Sequence, residues 1–299
     1  MKPPAFEYHA PDSLDAALEL MAQHSADAKV LAGGQSLVPA MNFRVAQPAL
    51  LVDLNGLAEL DTIRQADDGE LRIGAMTRQR RLERDPLVAQ FAPLLHEAMP
   101  HVAHPQIRNR GTLGGSLAHA DPAAELPVVT VALGARFRAQ SANGERWIAA
   151  DQFFHGMFTT ELTPEEILVE VALPAMPPGA GWSFMEFARR HGDYALMGVA
   201  AWVTLDERGI CQQARLVYLN AGDGPVDARR AAQLLQGETP SAASIEAAAA
   251  IASEDEMAPV GNVHASVAYQ RHLARVLTRR ALRQAYERAR ANMPHERLD

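Results

Sequence analysis

The stretch "KVLAGGQSLVPAMNFR", Lys29 to Arg44, constrains this chain more than any other. Val30, Leu31 and Ala32 begin it as a short buried strand would. Gly33 and Gly34 then sit side by side, a small hydroxyl follows at Ser36, and the chain turns apolar again. Glycines directly after a strand let backbone come very close to something, either another piece of protein or a ligand.

A second stretch repeats the device. "QIRNRGTLGGSLAHADPAAELP", Gln106 to Pro127, has Gly114 and Gly115 adjacent and Ser116 next. The two pairs lie about 80 residues apart, each with a hydroxyl within two positions. Loops of this kind can turn consecutive backbone N–H groups onto an anion such as phosphate, and a helix starting near Ala123 to Glu125 would add the positive end of its dipole. A tight structural turn is the competing reading of either loop alone. Together the pairs point to a diphosphate-like ligand held between two domains, and composition and spacing go no further.

Around these loops the chain reads as mixed α and β. "PDSLDAALELMAQH" is a helix that Asp12 or Ser13 can cap, with Leu14, Ala17, Leu18 and Met21 on one face. "ALLVDLNG" and "ELRIGAM" read as strands, and "LERDPLVAQFAPLLHEAM" as helix interrupted at Pro86 and Pro93. "ARFRAQ" and "EEILVEVALP" are further strands, and the Pro- and Gly-rich "PAMPPGAG" marks a boundary. Beyond it, "WSFMEFARR", "GVAAWVTLD" and "ARLVYLN" form an antiparallel set, followed by helices ending in a long one from about Ser266 to Arg290. A weaker boundary lies near Gly56, after a segment whose alternating helix and strand predict a small parallel sheet. Domains are therefore expected at 1–56, 57–176 and 177–299.

Composition removes several classes. With 299 residues, 48% apolar and 21% charged, this is an ordinary globular chain. A net charge of −8 opposes a general affinity for nucleic acid. No run approaches the ~20 apolar residues of a membrane span. The N-terminal "MKPPAFEYHAPDS" has no apolar signal-peptide core, so a cytoplasmic location is expected. The single cysteine, Cys211, allows no internal disulfide, and an iron–sulfur cluster held by this chain alone would need four thiolates.

Other residues invite weaker readings. Asp53 follows Gly34 by 19 residues, the distance of a Rossmann ribose-binding acid, but "AGGQS" lacks the third glycine of that fingerprint. His101 and His104 are flanked by prolines with no carboxylate or thiol close by, which opposes a metal site. His119, Asp121 and Glu125 could form an acid–base group, but helix capping by Asp121 with Pro122 in the first turn is the plainer account. Arg271, Arg275, Arg279, Arg280, Arg283, Arg288 and Arg290 make the last helix a solvated face or a partner interface.

The two glycine stretches resemble the flavin-binding signatures of the medium, FAD-binding subunit of molybdenum hydroxylases, a family that includes the carbon monoxide dehydrogenase medium subunit and the xanthine dehydrogenase flavin domain. "FEYHAPDSLDAALELM", "LLVDLNGLAEL", "LRIGAMTR", "EEILVEVALP", "FARRHGDYALMGVAAWV" and "YQRHLARVLTRRAL" fall in that family's order, so the resemblance spans nearly the whole chain. It implies an α+β fold: a vanillyl-alcohol-oxidase-like (PCMH-type) FAD-binding fold of two α/β subdomains, then a C-terminal domain with an antiparallel sheet and helices. Ala32, Gly33, Gly34, Gln35, Ser36 and Leu37 match the first pyrophosphate loop, and Thr112, Leu113, Gly114, Gly115 and Ser116 the second. Glu125 matches an acidic position that bonds the cofactor's polar chain, Leu168 a position packed near the flavin, and Tyr194 a residue beside the isoalloxazine ring. Relatives often carry Asp at the Glu125 position and a lysine in the strand that here reads "SFMEF".

The resemblance further implies a noncovalent FAD, since neither loop holds His, Cys or Tyr, and no catalytic residue is assigned. In the family, substrate is hydroxylated at molybdenum and electrons pass through two [2Fe–2S] clusters to FAD, then to an external acceptor. The molybdenum cofactor would sit in a large partner subunit and the clusters in a small one, as a heterotrimer or a dimer of heterotrimers. Two rivals stand beside this reading: a stand-alone flavin oxidoreductase of the same fold acting on an organic substrate, and a nucleotide-binding module with no redox role.

Overall fold

The computed structural model describes residues 1–293. The chain packs as two compact units. The first takes Met1–Gln90, Ala103–Ala120 and Gly134–Pro174; the second takes Phe91–Val102, Asp121–Leu133 and the described chain from Ala175 onward.

The first unit opens with β1 (Glu7–His9), α1 (Leu14–His24), β2 (Ala28–Leu31), α2 (Leu37–Asn42) and β3 (Leu50–Asp53). The strands pair in parallel in the order β1-β3-β2, as the helix–strand alternation predicts. Ser13 is the cap of α1: its hydroxyl oxygen accepts from the Ala16 amide at 3.2 Å. The buried face of α1, Ala17, Leu18 and Met21, packs with Leu50 and Val52 of β3.

After β4 (Ile63–Gln65) and β5 (Leu71–Gly74) come the short helices α3 (Gln79–Leu82), α4 (Pro86–Phe91), α5 (Pro93–Ala98), α6 (Pro105–Arg108), α7 (Leu113–His119) and α8 (Glu125–Ala132). Pro86 and Pro93 open helices, as proline can where its missing N–H has no helical partner. The strands β6 (Arg136–Ser141), β7 (Gly144–Ala149), β8 (Phe154–Gly156), β9 (Thr159–Thr160) and β10 (Ile167–Leu173) follow. Five of the strands make an antiparallel sheet in the order β4-β5-β10-β6-β7. A register shift between Leu168 and Glu170 makes Val169 a bulge in β10.

The second unit carries a four-stranded antiparallel sheet, β11 (Gly181–Ala188), β12 (Ala195–Leu205), β13 (Cys211–Leu219) and β14 (Val226–Asp227), paired in chain order. It also holds α9 (Arg229–Leu235), α10 (Ala242–Asp255) and α11 (Val267–Ala291). Two earlier segments pack here. All of α8 is buried, as a helix with no polar stripe must be. The Trp202 indole N–H donates to Ala132 O at 2.7 Å, at the end of that helix. Glu97 of α5 accepts from the Phe184 amide at 3.1 Å and pairs with Arg288 of α11.

The arginines of α11 are largely committed. Arg275 and Arg279 pair with Glu246 of α10, and Arg271 donates to the carbonyls of Glu254 and Met257. Arg280, Arg283 and Arg290 stay exposed. Much of the expected solvated face is therefore a helix–helix seam. No described helix is long and apolar enough to cross a membrane.

Candidate cofactor site

The first glycine loop leaves β2 at Leu31 and enters α2 at Leu37. Gly34 has φ +72°, and a left-handed residue in such a run turns successive N–H groups to one side. The amides of Gly33, Gly34, Gln35, Ser36 and Leu37 have no acceptor among the described residues. The Gln35 side chain closes the turn by donating to Gly33 O at 2.9 Å. The hydroxyl of Ser36, exposed at the start of α2, also makes no hydrogen bond among the described residues.

The second loop is built differently. Leu113 N donates to Thr77 O at 3.0 Å and Gly114 N to Ala75 O at 2.8 Å. Gly115 N donates to the Thr112 hydroxyl at 3.0 Å and Ser116 N to Thr112 O at 3.3 Å. These four amides are spent inside the protein. Gly114 is needed because a Cβ there would come within 2.8 Å of Ala75 O. Ala75 is in turn held by its own N–H, which donates to Val169 O of the β10 bulge at 2.9 Å. The second loop can present the Ser116 hydroxyl and its backbone shape, but not a row of donors.

The two loops touch. A Cβ on Gly33 would strike the Arg110 carbonyl and lie 2.7 Å from Gly111 Cα; one on Gly115 would lie 3.2 Å from Ala32 Cβ. The close approach that Gly33 permits is thus to protein, while the amides of the loop stay without an acceptor among the described residues.

A polar network behind the loops fixes them. The Asn55 side chain donates to Ala32 O at 2.9 Å and to Asp53, which also accepts from the Asn55 amide at 2.8 Å and from the Tyr8 hydroxyl. Arg78 donates to Asn55 Oδ1 at 2.6 Å and to the Arg110 carbonyl. Asp53 therefore serves its neighbours in this network, with both oxygens engaged. Among the described residues no carboxylate pairs with Arg78 or Arg110. Burial, and then the Arg110 charge, push Arg78 below the usual arginine range, against the opposing pull of the Asp61 and Asp53 charges. A cavity of about 260 Å³ lined by Asn55, Leu57, Asp61, Met76 and Arg78 adjoins the network. The "DLNG" sequence could have signalled the Asp53–Asn55 turn; nothing local marks Arg78.

Asn55→Ala removes the only side-chain bond to Ala32 O among the described residues. It should weaken binding of a diphosphate ligand about fivefold, the worth of one net hydrogen bond, without loss of fold. Ligand titration beside a thermal melt checks this; an unchanged affinity sinks the clamp.

The remaining expected residues divide between the units. Leu168, 6% exposed, sits in β10 next to the bulge. Glu125 and Tyr194 belong to the second unit. Glu125 is buried as the first residue of α8. The N-cap of α8 is Ala124, so Asp121 does not cap it and Pro122 is not in its first turn; Asp121 instead accepts from the Ala123 amide at 2.9 Å and closes the turn ahead. Tyr194 is 70% exposed. Desolvation, then the charges of Asp121 and Glu125, raise its hydroxyl above the ordinary tyrosine range.

The arrangement suits FAD on chemical grounds. Free amides and an idle hydroxyl match diphosphate oxygens, and no acidic side chain competes within the first loop. Residues 4–176 match the family described as "FAD binding domain in molybdopterin dehydrogenase", and residues 182–285 that described as "CO dehydrogenase flavoprotein C-terminal domain". The chain is 48% identical to the 6-hydroxypseudooxynicotine dehydrogenase complex subunit alpha of Paenarthrobacter nicotinovorans, over 97% of both chains. Among solved structures it is similar to quinoline 2-oxidoreductase from Pseudomonas putida 86 (TM-score 0.92, 40% identity, 97% of this chain and 99% of that one). It is equally similar to carbon monoxide dehydrogenase from Hydrogenophaga pseudoflava (TM-score 0.93, 38% identity, 96% and 99%).

Proposed function

Because this chain belongs to the family of FAD-binding subunits of molybdopterin dehydrogenases, we propose that it holds one noncovalent FAD on the Gly33–Leu37 loop as the flavoprotein subunit of a heteromeric molybdenum hydroxylase. The observation that carries this is the run of five amides with no acceptor among the described residues, in a chain that matches a relative over 97% of both lengths. Bound there, FAD would supply the redox chemistry that links a one-electron iron–sulfur donor to a two-electron external acceptor.

The chain's own part is to bind and orient. The Gly33–Leu37 amides and the Ser36 hydroxyl would take the diphosphate, with Ala32 as the loop's anchored entrance. Thr112 to Ser116 would shape the opposite wall, and Ser116 would donate from it. Leu168 would pack near the flavin, Glu125 would take the polar chain, and Tyr194 would cover the ring. With one cysteine, buried and unpaired, the chain offers no ligand set for [2Fe–2S] clusters. We assign these to a small partner and the molybdenum cofactor to a large one, a reading supported by relatives named as complex subunits and medium chains. We further propose a heterotrimer or a dimer of heterotrimers in the cytoplasm, with domains divided at 56 and 176.

Purified chain should be yellow and release free FAD, one per chain, on denaturation. Colourless protein, or flavin that stays with the precipitate, overturns the assignment. Turnover of an organic substrate by the chain alone would favour a stand-alone oxidoreductase.

A further inference from the structure

We propose that Asn220 is a positioning residue for the cofactor: it fixes Tyr194 and the Asp121–Glu125 turn in one arrangement. The proposal rests on the reading of Tyr194 and Glu125 as cofactor residues, and it names what holds them.

Asn220 follows β13 and has φ +53°, a left-handed conformation that asparagine tolerates better than most side chains. Its backbone N–H donates to Pro122 O at 2.7 Å. Its side-chain amide donates to Ala195 O at 2.9 Å and to Leu196 O at 3.2 Å. Three separate segments meet at this one residue: the end of β13, the turn before α8, and the entrance of β12. Gln270, 1% exposed on α11, adds a second donor to Leu196 O at 3.3 Å.

Tyr194 needs such support. Its own hydroxyl makes no hydrogen bond among the described residues, and its ring is 70% exposed. On its N-terminal side lies a turn through Gly192 at φ +88°. The firm side is Ala195–Leu196, and Asn220 is what joins that side to the Pro122 turn. Asn220 thus ties Ala195, which directly follows Tyr194, to Pro122, which directly follows Asp121; desolvation, then the charges of Asp121 and Glu125, raise the Tyr194 pKa. A plain structural turn at position 220 would be served as well by glycine. The side-chain amide adds only the two bonds to the strand entrance.

The test compares Asn220→Gly, Tyr194→Ala and the double variant, each with FAD bound. Asn220→Gly keeps the left-handed backbone and the Pro122 bond. It should retain fold and FAD, shift the visible flavin spectrum in the same direction as Tyr194→Ala, and change flavin reoxidation by up to about thirtyfold, the worth of the two net hydrogen bonds lost. The double variant should add nothing to Tyr194→Ala. In the FAD-free chain, an ultraviolet titration with Tyr194→Phe subtracted should show Tyr194 ionising at lower pH once Asn220 is glycine, because a displaced side chain regains solvent and leaves the charges of Asp121 and Glu125. Asn220→Asp, which sets a carboxylate against two carbonyls, should act in the same direction if Asn220→Gly proves too unstable to load. Wild-type spectrum, rate and titration in Asn220→Gly beside an altered Tyr194→Ala overturn the proposal and leave the Tyr194 reading standing. A wild-type Tyr194→Ala overturns that reading, and the proposal with it.

Discussion

Replacing Gly33 by alanine should cost FAD binding at least about a hundredfold, with about 1–3 kcal/mol of stability lost through overpacking. Gly33 is buried, and the added carbon would meet backbone: the Arg110 carbonyl, and Gly111 Cα at 2.7 Å. That backbone is pinned. Arg78 holds the Arg110 carbonyl, Gly111 N donates to Ile107 O at 2.7 Å, and Gly111 O accepts from Gln79 N at 2.9 Å. The first loop must therefore move, and its free amides move with it. Gly34→Ala is the internal comparison. Its neighbours are side-chain ends at 3.2 and 3.3 Å, which can yield, leaving about 1–2 kcal/mol of left-handed strain. Flavin fluorescence titration and thermal melts of both variants decide the matter. Wild-type affinity in Gly33→Ala would mean the seam between the loops is not what shapes the site.

Gly181→Ala should strongly destabilise the second unit. A Cβ there would run into the Ala285 carbonyl and the Ala289 amide of α11, and lie 2.9 Å from Ala289 Cα. Helix and strand reach this distance because the helix presents Ala281, Ala285 and Ala289, all fully buried. Sliding is opposed by fixed bonds: Arg288 to Trp182 O at 2.7 Å, Ser183 to Gln284 at 2.6 Å, and Tyr218 with Thr278 at 2.7 Å. Overpacking against backbone should cost about 3 kcal/mol, which for a unit of this size lowers the melting temperature by roughly 10 °C. Calorimetry checks it, and an unchanged transition would mean the helix relaxes freely.

Local pattern carried much of this protein. The strand and glycine pair around Gly33, the parallel pairing of the first strands and the antiparallel set after Ala175 were legible because adjacent residues decide them. What escaped is decided at a distance. "TLGGS" reads like a twin of "AGGQS", yet its amides are consumed by Ala75, Thr77 and Thr112, and no local feature announces Ala75 and Thr77 as acceptors. The arginines of α11 look solvated until Glu246, on another helix, is seen to meet two of them. Asn220 escaped for the same reason: its acceptors lie on segments far from it in sequence.

The seam at Gly33 also sets a timetable for biosynthesis. The loop that would hold the cofactor is translated early and can be tied to Asn55, but the backbone it packs against at Gly33 is missing until Arg110 and Gly111 leave the ribosome. Its opposite wall waits longer still, because Ala75 is anchored by Val169. Closing such long stretches precedes any reward from the contacts they make. On the proposed site, flavin loading is therefore expected only after residues as late as Val169 have been made, and not on the first glycine loop alone.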